Sequence, residues 1–118
     1  MRRIHALLVA AEELTDLNVF TVVLAEQPDG GGQRLEVQLA LSFDEQDASQ
    51  GMDTYCLSTE EGRTFYGGVL GWSVDDSRLE LRLTAEAAGA LGVENGFLVD
   101  IPQGKLELLR EGLKRVLG

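Results

Sequence analysis

From Val19 onward, apolar positions in this chain recur mainly with a period of two. Leu35, Val37, Leu39 and Leu41 alternate with Glu36, Gln38 and Ala40. That spacing predicts a half-buried strand, because successive side chains of extended backbone point to opposite faces. Phe43 continues the inward set. Val19 to Ala25 is β-branched and apolar on both faces, as an interior strand requires. Thr54 to Ser58 predicts a short strand with Tyr55 and Leu57 on one face and Cys56 on the other, ended by a turn at Glu60-Glu61-Gly62. Thr64 to Val74 returns as a strand bent or bulged near Gly67-Gly68. Asp75-Asp76-Ser77 is a second turn, and Leu79, Leu81 and Leu83 alternate after it. Phe97, Val99 and Ile101 form a last strand, ended by Pro102, which has no N–H to offer.

Three stretches depart from that period. Residues 4–13 contain Ala, Leu and Glu, which favour helix locally. Pairing with the strands that follow favours extended backbone, and a strand is expected. Thr84 is placed to cap a short helix that Gly92 stops. Lys105 to Leu117 carries Leu106, Leu109, Leu113 and Val116 at helical spacing, one apolar stripe that Leu108 and Leu117 widen. Glu107 can pair with Arg110, and Glu111 with Lys114 or Arg115. Thr15 to Asn18 and Pro28 to Gly32 read as turns, and Asp44 to Gly51 as a loop or one helical turn. The expected fold class is α+β: a single domain over residues 1–118, with a mostly antiparallel curved sheet of about six or seven strands packed by a C-terminal helix, plus one short helix. No βαβ alternation supports a doubly wound sheet.

Charge narrows the function. Ten Lys and Arg against 20 Asp and Glu give a net charge of −10. Such a chain repels nucleic acid and anionic membrane and attracts cationic partners. Solubility alone is the plainer explanation of the same charge. One cysteine forms no internal disulfide and no multi-cysteine zinc site, which fits a reducing compartment. The apolar run from Ala6 to Ala11 ends in Glu12-Glu13, is too short for a leader, and no stretch approaches the roughly 20 apolar residues of a membrane span. A cytoplasmic protein without a cofactor is expected. Exposed edge strands leave a strand-paired homodimer open.

Candidate chemistry concentrates between Phe43 and Val74. Asp44, Glu45, Asp47 and Asp53 could gather a hard cation, although the EF-hand spacing is absent and a solvated acidic loop is the simpler reading. An acidic surface for a basic protein is a third reading. Cys56 with His5 as its base would make a thiol enzyme, but no thiol-enzyme signature surrounds Cys56, and inert cysteine is the commoner case. Tyr55, Tyr66 and Trp72 serve either the core or a binding face, since aromatic residues dominate both.

Phe43-Asp44-Glu45-Gln46-Asp47, a short spacer, then Gly51-Met52-Asp53-Thr54-Tyr55-Cys56 resembles the immunity protein 10 family of bacterial polymorphic toxin systems. Tyr66-Gly67-Gly68-Val69 and Leu91-Gly92 fit the same pattern, so the resemblance is best from Phe43 to Gly92. It implies an α+β protein, not an enzyme, that binds a cognate protein toxin and blocks it inside the producing cell by occluding its active surface. A basic nuclease would suit the charge. The candidate toxin-binding residues are Trp72, Tyr66, Tyr55, Asp44, Glu45, Asp47 and Asp53. The other reading is a small-ligand or metal-binding protein using the acidic 44–53 loop.

Overall fold

The computed structural model describes residues 1–49 and 53–118, the side chains of Asp47 and Ala48 excepted. In chain order the elements are β1 (Arg2–His5), β2 (Leu8–Leu14), β3 (Val19–Ala25), β4 (Arg34–Ala40), α1 (Glu45–Ser49), β5 (Cys56–Thr59), β6 (Thr64–Tyr66), β7 (Val69–Asp75), β8 (Arg78–Leu83), α2 (Ala85–Leu91), β9 (Gly96–Asp100) and α3 (Leu106–Leu117). The α+β class and the packed C-terminal helix are as the sequence predicts. Among the described residues there are nine strands rather than six or seven, and they divide into two sheets. β2 to β6 form an antiparallel five-stranded sheet in sequence order, and a four-stranded sheet has the order β1-β9-β8-β7. In the latter, β1 runs parallel to β9.

Two breaks produce the division. The first lies in the N-terminal segment, which is extended as expected. Ala6 donates its N–H to Asp100 of the four-stranded sheet at 3.0 Å, and Leu7 donates to Ala25 of the five-stranded sheet at 2.9 Å. The chain thus passes from one sheet to the other within one residue. The second break is the glycine pair. Gly67 and Gly68 have φ of 77° and 90°, which side-chain-bearing residues rarely adopt. A Cβ on Gly68 would stand 2.5 Å from Cβ of Ala87 in α2. The expected single strand from Thr64 to Val74 is therefore two strands in different sheets, because consecutive positive φ values turn the chain between them.

Register then sorts the faces. Across the five-stranded sheet, Ala11, Val22, Val37, Leu57 and Phe65 share one row. Val22, Val37 and Leu57 in that row are fully buried. In the four-stranded sheet, Val74, Leu79, Val99 and Ile4 make the matching inward row. These residues belong to one cluster with Leu109, Leu113 and Val116 of α3. Each such fully buried aliphatic side chain contributes roughly 1.5–3 kcal/mol relative to exposure. α3 comes close to the five-stranded sheet because its middle carries Gly112, whose Cβ would meet Val22 Cγ2 at 3.0 Å and Ala11 Cβ at 3.1 Å. Arg115 ties the same helix down, pairing with Glu13 and lying 4.1 Å from the centre of the Phe20 ring. Glu107 pairs with Arg110 as expected. The expected Glu111–Arg115 pair is replaced by the longer-range bond to Glu13.

A polar clasp joins the sheets on another side. Arg2 of β1 donates to Glu60 at 2.6 Å and to Gln33 at 2.7 Å, and the Arg34 N–H donates to the same Glu60 oxygen at 2.8 Å. Burial pushes the Glu60 carboxyl up, but these donors together bring it below the ordinary glutamate value of 4.5. A carboxyl depressed in the folded state adds stability above its unfolded pKa, and that stability is lost as pH falls through the folded value. Glu60→Gln is therefore expected to lower the urea midpoint at pH 7. The difference from wild type should shrink as the pH is taken below 4. A gap of constant size across that range would mean the clasp is not electrostatic.

Candidate functional site

The predicted site residues do not converge on one place. Tyr55 and Trp72 are brought together: with Val69, Leu70 and Leu117 they line an open groove of about 320 Å³ between β7 and the end of α3. The Val69 N–H donates to the Tyr55 hydroxyl at 2.9 Å. Arg110 donates to the Val74 carbonyl at 3.1 Å, near the other end of β7. Both bonds satisfy backbone groups of a strand that, among the described residues, pairs with β8 alone. Trp72 itself is half-buried against the core, as is Tyr55. Leu70, at the register shift between Val69 and Gly71, is the exposed apolar residue of this groove, at 68%. Tyr55→Phe removes one partly buried hydrogen bond and leaves the ring, so a loss of about 1 kcal/mol is expected in urea unfolding. An unchanged midpoint would show that water replaces the hydroxyl at no cost.

Tyr66 lies elsewhere, on the outward face of the five-stranded sheet. Register places Glu12, Thr21, Gln38, Cys56 and Tyr66 in one row there. Asp44 precedes α1 and Glu45 opens it, both exposed. Asp47 is on the same helix, its side chain outside the described ones. Asp53 is exposed just before Tyr55. Gly51 and Met52 of the motif, like Gln50, lie outside the described residues. Among the described residues no three His, Cys, Asp or Glu side chains are placed to hold a metal ion. The acidic-loop ligand reading gains nothing from the structure.

Cys56 and His5 are not partners. His5 sits 3.7 Å from Asp100 on the four-stranded sheet, with its ring largely in solvent. Cys56 is on the other sheet, where burial pushes its thiol above the ordinary value against a smaller lowering by the Phe65 backbone. A thiol held protonated at neutral pH is a poor nucleophile.

Phe43, expected inward from the period of two, is outward at 42% exposure. β4 ends at Ala40, and Leu41 carries the β3–β4 register one step further by donating its N–H to Asn18 at 2.9 Å. Asn18, in the left-handed region at φ 56°, also bonds through its side chain to Ser42. The two turns at this end of the sheet are thereby fastened side by side. They expose Leu17 at 69%, Leu41 at 39% and Phe43 together. Leu17 is not among the residues that periodicity or charge singles out. An apolar residue inside the polar turn Thr15-Asp16-Leu17-Asn18 was the signal available.

No helix among the described residues is long and apolar enough to cross a membrane. Among curated proteins and among solved structures, none matches the chain. A family model does: the one described as immunity protein 10 matches residues 5–108 of the 118. That span runs from the end of β1 into α3 and takes in both sheets, the glycine pair and the acidic motif, and on that match the chain belongs to the immunity protein 10 family.

Proposed function

We propose that this protein is a non-enzymatic inhibitor. It binds a cognate protein toxin of a bacterial polymorphic toxin system in the cytoplasm of the producing cell and occludes the toxin's active surface. The family match over residues 5–108 carries this reading. The net charge of −10 supports a basic toxin, a nuclease being the natural kind, since opposite charge speeds encounter. Residues 1–118 act as one immunity-protein unit.

Co-expression with the toxin-like product of the neighbouring gene is the direct test. Restored growth and a stoichiometric complex on co-purification are expected. Undiminished toxicity with no complex would reject the inhibitor reading for that pair.

A further inference from the structure

The charge of this chain is distributed unevenly over the fold. Between Leu8 and Tyr66, the span of the five-stranded sheet, there are twelve Asp and Glu against two bases, Arg34 and Arg63, a net of −10. Outside that span eight acids meet eight bases. The whole net charge therefore belongs to one sheet and its turns, and the rest of the molecule is neutral. Arg34 is engaged by Glu36, and Arg63 lies against Gly92 beyond α2. Neither base is at the end of the sheet where Leu17, Leu41 and Phe43 are exposed.

That end combines the features of a protein interface. Its apolar centre is Leu17, Leu41 and Phe43, held together by the Asn18–Ser42 bonds. Acids flank it: Asp16 in the first turn, Glu45 at the start of α1, and Glu12 on the adjoining outward face. Beside Leu17 is a recess of about 430 Å³, lined by Glu13, Leu14, Thr15, Asp16 and Leu17. The acidic side chain of Glu13 already holds Arg115 of this chain, the kind of guanidinium contact the rim can make. On the same outward face, the Thr21 hydroxyl is buried without a partner among the described residues, next to Glu12 in register. An apolar centre inside a charged rim is how protein interfaces are built. With Glu13 already matched by Arg115, the acids that remain on the rim, Asp16, Glu12 and Glu45, select an oppositely charged partner.

We propose that the Leu17–Leu41–Phe43 end of the five-stranded sheet is a docking surface for a cationic protein, which seats an apolar side chain among these three and sets Lys or Arg against Asp16, Glu12 and Glu45. This rests on the inhibitor reading in that the partner is the toxin. It moves the contact away from the Tyr55–Trp72 groove. Acids on the rim steer encounter, and the apolar centre sets residence time.

Backbone amide shifts of the ¹⁵N-labelled protein, titrated first with the catalytically silenced toxin of the neighbouring gene and then with an amphipathic Lys/Leu peptide, locate the surface. Shifts should centre on Asp16, Leu17, Leu41 and Phe43. The double variant Leu17→Ser, Phe43→Ser should bind the toxin about a hundredfold more weakly, as loss of central anchors does. Asp16→Lys with Glu45→Lys should slow association about tenfold at low salt, an effect erased at high salt. All four residues are exposed, so the variants should keep the wild-type amide spectrum elsewhere. Toxin binding that shifts Leu70 and Trp72 instead, undisturbed by either variant, overturns the surface and leaves the inhibitor reading standing. No toxin binding, with the peptide still landing on Leu17 and Phe43, keeps the cation-docking surface and removes the toxin. Shifts at this end that follow protein concentration alone would assign it to a second copy and overturn the proposal.

Discussion

Gly96→Ala is expected to cost at least about 3 kcal/mol and to leave the protein largely unfolded at moderate urea. Gly96 opens β9 at φ 139°, where an L side chain is strained. A Cβ there would stand 1.9 Å from the Leu81 carbonyl oxygen and 3.2 Å from Cα of Arg82, its register partner. Both obstacles are backbone, so no rotamer change relieves them. Only separation of β8 from β9 would, and that breaks the ladder beside the fully buried Phe97. Strain and overpacking each cost roughly 1–3 kcal/mol. Their sum is a large part of the 5–15 kcal/mol by which proteins of this kind are stable. Gly62→Ala is the comparison. Its φ is also positive, at 78°, but its Cβ would meet open space, so only the local term of about 1–2 kcal/mol applies. Urea midpoints for the two variants decide the matter. Equal losses would mean that the β8–β9 register is not the one described.

Leu113→Ala is the second large effect, with an expected loss of about 2–5 kcal/mol. Leu113 is fully buried and belongs to the cluster through which α3 meets both sheets. Truncation leaves a cavity that the sheets cannot close, because Gly112 already has the helix backbone against Val22 and Ala11. Trp72, the chain's single tryptophan, shares a groove with Leu117 and reports on α3 by fluorescence. Its midpoint and that of circular dichroism should fall together. Leu108→Ala, on the same helix at 39% exposure, should change stability by about 0.5 kcal/mol or less. A Leu113→Ala variant no worse than Leu108→Ala would refute the docking of α3.

Much of the fold was readable where local pattern and burial agree. The alternation of Leu79, Leu81 and Leu83, the Thr84 cap, which accepts from the Ala87 N–H at 3.1 Å, and the Leu109–Leu113–Val116 stripe all stand as the sequence implies. Phe43 shows where that kind of reading stops. A period of two continues through Leu41 and Phe43, but β4 loses its partner there, because β3 begins only at Val19 and Asn18 before it is in the left-handed region, twenty-odd residues earlier in the chain. Nothing local to Phe43 announces where its partner strand begins. The glycine pair was visible, yet whether it bulges one strand or starts another depends on α2 packing against Gly68. For the site, residue types were legible and their grouping was not. Tyr55, just ahead of β5, and Trp72 of β7 meet beside the end of α3, whereas Tyr66 faces away by the parity of its strand. Leu17 and Phe43, far apart in the sequence, lie on two turns that are fastened to each other by the Asn18–Ser42 and Asn18–Leu41 bonds.

The passage of the N-terminal segment between sheets bears on the order in which the protein assembles during synthesis. The five-stranded sheet uses a contiguous stretch, residues 8–66, with each strand next to its sequence neighbour. Short loops close at little entropic cost, so this half can form while the chain is still emerging. The four-stranded sheet needs Ile4 opposite Val99, a pairing of the two far ends of the chain. It must wait until β9 has left the ribosome tunnel, with Arg2 and its neighbours held ready by Leu7's bond to Ala25. Pulse-labelling hydrogen exchange should therefore find the amides of β2 to β5 protected first and those joining β1 to β9 last.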